Sequence, residues 1–195
     1  MEKIYIGLDI STSIVGISIF DYNKKFKDMK YVNLTKVKCF FEKSLQVKQK
    51  FIEIIEEYNN CSFIVGIEEN LQAFRPGLSS AKTLMTLSRF NGVISYISNE
   101  VFKTIPVFIN VNSARKDLGI KIDRKSSDST KDQVFNWVKG DLILENNTFV
   151  WPTKVMKSGK NKGRVKFENC CYDMSDAYVI CKSLIYNLGQ DVNNQ

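Results

Sequence analysis

The sequence predicts a mixed α/β fold, a single sheet flanked by helices, and three observations predict it. Residues 3–34 read as extended segments separated only by turns, so the chain opens as a strand meander. From residue 44 onward, helical patterns alternate with short apolar runs of strand length, giving β-β-β-α-β-α-β followed by helices. The length, 195 residues, suits one sizeable core and fits two full domains poorly.

Each element has its own signal. In KIYIGLDI, Ile4, Ile6 and Leu8 fall on one strand face and Tyr5, Gly7 and Asp9 on the other. Ser11-Thr12-Ser13 is turn chemistry and IVGISIFD returns, so the pair forms a hairpin; a third strand is expected near Lys30–Leu34. KSLQVKQKFIEIIEEYNN places Leu45, Phe51, Ile55 and Tyr58 roughly on one helical stripe, ended by Asn59-Asn60. CSFIVGIEE is an apolar strand ending in acids, and after the AFRPGLSS loop AKTLMTLSRFNGVISYISNEV makes a long helix. IPVFINV is a short strand, Asn112-Ser113 a cap for a short helix at ARKDLG, and Asp128 or Ser129 a cap for DSTKDQVFNWVKG. Residues 140–169 show little periodicity, with TKVMKSGKNKGRVK as an exposed basic loop or hairpin. A last helix is expected from about Asp173 to Asn187, so residues 1–188 form one domain with a basic loop at 152–168 and 189–195 a flexible tail.

Composition narrows the chemistry. The net charge is +7, and residues 101–170 hold 14 basic against 7 acidic residues, a local field that favours a polyanion such as nucleic acid. No histidine is present, which excludes Ser–His and Cys–His catalysis and histidine-containing zinc sites. Five cysteines without CxxC spacing suggest reduced thiols and a cytoplasmic location, in the host cell if the chain is viral or phage-encoded. The stretch MEKIYIGLDIST lacks the long apolar core and small-residue cleavage site of a signal peptide, and no apolar stretch approaches the roughly 20 residues that span a bilayer, so no membrane partner is expected.

The acids then stand out. Asp9 ends the first strand, Glu68 ends the buried one with Glu69 after it, and Asp173 and Asp176 open the final helix three residues apart. Four carboxylates in one pocket repel one another unless cations neutralise them, and hard oxygen donors select Mg²⁺, with Mn²⁺ as a substitute. Two such ions roughly 3.5–4 Å apart serve phosphodiester hydrolysis. Each acid also has an ordinary reading: Asp9 as a turn former with Ser11, Glu68 and Glu69 as solvated strand ends, and Asp173-Met-Ser-Asp176 as a capping box.

Together these residues resemble the RuvC family of Holliday-junction resolvases, within the RNase H-like, retroviral-integrase superfamily. IGLDISTSIVGISIFD resembles the family's opening hairpin with Asp9 as first catalytic acid, IVGIEE its second motif with Glu68, and YDMSDAYVI its terminal helix with Asp173 and Asp176. LSRFNGVISYISNE resembles the long helix after the glutamate and TKDQVFNWV the basic helix start, so the likeness spans about residues 3–188. It departs at Ile10-Ser11, where the family has Pro-Gly, and at Val15-Gly16, where it has Thr-Gly. The stretch Lys154–Lys166, six cations without an acid, looks like an insertion closer to viral or phage-type members.

The resemblance implies an RNase H-like, mixed five-stranded sheet and a homodimer that binds a four-way DNA junction and makes paired, Mg²⁺-dependent nicks. It implies catalytic and metal-ligating roles for Asp9, Glu68, Asp173 and Asp176, and DNA contacts for Lys131 and Lys116. Leu71 or Phe74 would take the place of an apolar wedge just after the glutamate, or pack the loop. Lys154, Lys157, Lys160, Lys162 and Arg164 are expected to contact DNA, against a reading of this segment as a solvated disordered loop. Leu84, Leu87, Ile94 and Ile97 of the long helix are a dimer interface or core. Three other readings stand beside it: an RNase H-like enzyme cutting RNA, a general fork and flap nuclease, and a structure-specific DNA-binding protein without activity. The hairpin is also similar to the phosphate-binding turn of sugar kinases and actin-like ATPases, which need a second such domain.

Overall fold

The computed structural model describes residues 1–69, 81–159 and 162–193. Its centre is a five-stranded sheet of β1 (Lys3–Ile10), β2 (Ile14–Phe20), β3 (Phe26–Asn33), β4 (Ser62–Glu68) and β5 (Val107–Ile109). The order is β3-β2-β1-β4-β5, with β1, β2 and β3 antiparallel in series and β4 and β5 parallel to β1. This is the mixed α/β sheet that the element order predicts.

Ser11 makes the first turn: its Oγ donates to the Ile14 carbonyl at 2.7 Å and accepts from the Ile14 N–H at 3.0 Å. Asp9 takes no part in that turn; it lies inside β1, paired across from Gly16. The turn-forming reading of Asp9 therefore fails. The strand β3 begins four residues earlier than expected, after a turn in which Lys24 adopts φ 62° and Asp21 Oδ1 accepts from the Asn23 and Lys25 N–H groups.

Strand alternation divides the interior into two layers. On one side, Ile4, Ile6, Leu8 and Ile10 pack with Val15, Ile17, Ile19, Val65 and Ile67 beneath α1 (Phe40–Glu57) and α2 (Ala81–Phe102). The residues that α1 buries are Ser44, Val47, Phe51 and Ile54, whereas Leu45 is 64% exposed. The expected stripe of Leu45, Phe51, Ile55 and Tyr58 is thus rotated by about one residue; Phe51 alone of the four is fully buried, and Ile55 and Tyr58 pack at the layer's edge. In α2, Ile94 and Ile97 belong to this core, while Leu84 and Leu87 are half-buried.

The other layer holds α3 (Val111–Asp117), α4 (Thr130–Leu144) and α5 (Cys170–Asn193). Asn110, two residues before the expected Asn112-Ser113, caps α3 by accepting from the Asn112 and Ser113 N–H groups. Ser129 caps α4 through the Asp132 N–H. Of the loop or hairpin expected near 152–168, the structure has the hairpin: β6 (Thr153–Val155) pairs antiparallel with β7 (Val165–Phe167). The last helix starts at Cys170, three residues before Asp173, and runs to Asn193, so residues 189–193 continue it instead of forming a tail. Among the described residues no helix is long and apolar enough to cross a membrane, and all five cysteines are free thiols.

Candidate active site

Two glycines set how closely α5 approaches the sheet. A Cβ on Gly7 would lie 2.2 Å from the Ala177 carbonyl oxygen, and one on Gly16 would lie 2.1 Å from the carbonyl oxygen of Asp173. The helix therefore rests on bare backbone of β1 and β2. Gly16 sits opposite Asp9 in the hairpin register, so the contact that seats the first turn of α5 also sets Asp173 beside Asp9. Gly66 continues the trough on β4, where a Cβ would lie 3.0 Å from Ile109 Cδ1, 3.3 Å from Leu184 and 3.4 Å from Ile180, and Glu68 follows two residues later on the same face.

Four carboxylates converge at the carboxyl ends of the parallel strands, where open α/β sheets place their reactive groups. Burial pushes the Asp9 carboxyl well above the usual range, and Glu68, Asp176 and Asp173 add to the shift by repulsion. Glu68 rises to about 7, through burial and then Asp176, although Arg115, a hydrogen bond with Asp9 and Lys131 oppose the rise. Asp173 rises to about 6, chiefly through burial, with Lys131 opposing and Asp176 adding. Asp176 is also raised by burial, against Arg115 and Lys131. Acids from three elements, β1, β4 and α5, thus share one electrostatic field.

Asp173 lies in the first helical turn of α5 but is not its cap. The expected capping box is therefore not how these acids are used. The helix is started instead by backbone bonds, Cys171 N–H to the Glu168 carbonyl at 3.1 Å and Tyr172 N–H to that of Asn169 at 3.0 Å. Glu69, expected as a solvated strand end, is half-buried and extends the sheet ladder through its N–H to the Ile109 carbonyl at 2.9 Å. Asn91, buried in α2, braces the same corner by donating to the Glu68 carbonyl at 3.4 Å.

Two cations border the acids. Lys131, in the first turn of α4, is exposed and acts on all four. Arg115, on α3, places its guanidinium 3.4 Å from Asp176. Sequence reasoning picked its neighbour Lys116 and missed Arg115; the usable signal was the helix phase, since Ala114 is the buried residue of α3 and Arg115 lies about 100° round the helix from it, against about 200° for Lys116. Arg115 and Lys116 also line a cleft of about 380 Å³ with Lys121 and Arg124. Leu71, Phe74 and Lys160 lie outside the described residues. Lys154, Lys157, Lys162 and Arg164 are exposed on the β6–β7 hairpin.

The donor set, carboxylates with no imidazole, suits a hard divalent cation. Among the described residues no three His, Cys, Asp or Glu side chains stand as a ready metal cage, and Asp176 lies 3.4 Å from the Arg115 guanidinium.

Sheet order, strand directions and helix layers define an RNase H-like α/β fold of the RuvC type. The RuvC of Thermus thermophilus in complex with a Holliday junction substrate superposes with a TM-score of 0.62, covering 96% of each chain at 12% identity. A second structure of the same Thermus thermophilus protein gives a TM-score of 0.57 over the same coverage, also at 12% identity. No protein-family model and no curated protein matches the sequence.

Proposed function

We propose that this protein is a structure-specific endodeoxyribonuclease that resolves four-way DNA junctions by paired nicks, acting as a homodimer with Mg²⁺ or Mn²⁺. The observation that carries the reading is the convergence of Asp9, Glu68, Asp173 and Asp176 between Lys131 and Arg115, on a RuvC-like fold. Strands β1 and β4, each paired on both sides within the sheet, hold Asp9 and Glu68, and α5 brings the other two acids against them. Bound divalent cations would supply an activated water and stabilise the leaving oxygen. Lys131 and Arg115 meet the incoming phosphodiester with positive charge, and Lys116 extends that charge along the cleft. The wedge role falls to Leu71 or Phe74. The exposed face of α2, including Met85 and Tyr96, offers apolar surface for a second copy.

The test compares end-labelled four-way junction, linear duplex, fork, flap and RNA–DNA hybrid, each with Mg²⁺ and with EDTA. Symmetric Mg²⁺-dependent nicks confined to the junction are expected. Asp9→Asn and Asp176→Asn should each lower cleavage by about 10³-fold or more while junction binding persists. Cleavage of the hybrid alone would move the enzyme to RNA, cleavage of forks and flaps alike would broaden it, and binding without cleavage would leave a DNA-binding protein. Light scattering that finds a monomer on the junction would sink the paired-nick mechanism.

A further inference from the structure

The β6–β7 hairpin is built in a way its own strands do not explain. Lys154 stands directly across the ladder from Lys166, and like charges opposite one another destabilise a strand pair. Lys157, Lys162 and Arg164 add three more cations. None of the five joins an ion pair among the described residues. An isolated two-stranded hairpin is marginal in water even without that repulsion.

Its order comes from the mount. Phe167 lies 5.0 Å from Phe135, and Trp151 lies 4.8 Å from Phe135 and 5.0 Å from Phe149. The Lys139 ammonium covers Phe167 at 4.9 Å. The Glu168 N–H donates to the Pro152 carbonyl at 2.9 Å, closing the base of the hairpin where α5 begins. Near the tip, Gly159 and Gly163 take φ +75° and +85°, and the Met156 N–H donates to the Arg164 carbonyl at 2.9 Å. A base of packed aromatic rings thus holds a set of exposed cations, none of them in an ion pair among the described residues, beside the helix that carries Asp173 and Asp176. Glu168 at the foot and Asp132 near Lys166 are the acids that face it.

We propose that this hairpin is a phosphate-backbone clamp: it grips the DNA flanking the acidic site and takes no part in the chemistry. The proposal rests on the nucleic-acid reading above. Nucleic acid suits the arm better than an anionic membrane, because its exposed apolar residues, Val155 and Val165, are small where interfacial anchors use Trp, Phe or Leu.

The test is fluorescence anisotropy with labelled four-way junction and linear duplex in EDTA across a sodium chloride series, on the full chain. The variants are Lys154→Ala/Lys166→Ala and Lys154→Arg/Lys166→Arg, each first shown to melt like the wild type. At about 0.9 in slope per phosphate contact, loss of two contacts should lower the slope of log affinity against log salt by about 1.8. Affinity at low salt should fall about tenfold or more, equally for junction and duplex, with the Arg variant unaffected. Single-turnover cleavage at saturating protein should stay within about twofold. Unchanged affinity and slope in the Ala variant would overturn the proposal, as would slower saturated cleavage at unchanged affinity. Loss of binding to phosphatidylserine vesicles with DNA binding intact would also overturn it. A wild type that cuts nothing, yet shows the fall in slope, would end the nuclease reading and leave the clamp standing.

Discussion

On the α1–α2 side of the sheet, β1 presents Ile4, Ile6, Leu8 and Ile10; one residue out of step, on the α5 side, it presents Tyr5, Gly7 and Asp9. The first layer is filled by large apolar side chains from sheet and helices, and it separates the elements by the bulk of those side chains. The second layer is thinned at Gly7, Gly16 and Gly66, and there α5 comes down onto the strands. The difference shows what the proposed catalytic face needs. Close backbone approach places acids from a strand and a helix side by side, and the apolar layer opposite keeps the strands from yielding to their repulsion.

The largest effect that separates the two faces should come from Leu8→Ala. Leu8 is fully buried in the apolar layer, so its truncation should cost about 2–5 kcal/mol in denaturant melts. Cleavage per folded molecule should nevertheless stay close to wild type. A large loss of activity in the folded fraction would show that the two layers are not separable.

Gly16→Ala tests the thin layer. The added methyl meets the backbone of Asp173, which has no flexible end to move aside, so α5 must shift. A stability loss of about 1–3 kcal/mol is expected, with a loss of cleavage out of proportion to it. Activity that tracks stability alone would break the link between the glycine trough and the acid geometry.

Glu68→Gln tests the charge itself. The folded-state value of Glu68 is about 7 against an ordinary 4.5, and that of Asp173 about 6 against 3.8. Over that window the folded protein binds more protons than the unfolded chain, so stability falls as pH rises from about 4 to 7. In EDTA, the wild type should therefore melt lower at pH 7.5 than at pH 4.5. Glu68→Gln should remove part of that fall, on the order of 2 kcal/mol at pH 7.5, while cleavage is lost. Addition of Mg²⁺ should raise the wild-type melting temperature more than that of the variant. The smallest effect belongs to Leu45→Ala, expected within about 0.5 kcal/mol because that side chain is exposed.

Strand faces were legible from alternation alone: Ile4, Ile6 and Leu8 do separate from Tyr5, Gly7 and Asp9, because a strand's period of two leaves no choice once one face is apolar. Helix faces were less so. In α1 a rotation of one residue moves Leu45 from the core to solvent, and the apolar residues on either side of the true stripe do not resolve it. Helix starts were harder still at α5, whose first turn relies on backbone bonds from 168–172 rather than on a recognisable capping side chain.

The sequence by itself determined the sheet-and-helix class, the order of elements, the residues of the opening hairpin and the four acids brought together here. It did so through local patterns, namely alternation, turn chemistry and acids at element ends. Only the tertiary structure decided that Arg115 rather than Lys116 pairs with Asp176, that Lys131 acts on all four acids, and that β6 and β7 pair into an arm seated on Phe135. Those outcomes depend on how α3, α4 and α5 pack against one another, and contacts between residues sixty positions apart leave no periodicity in the chain.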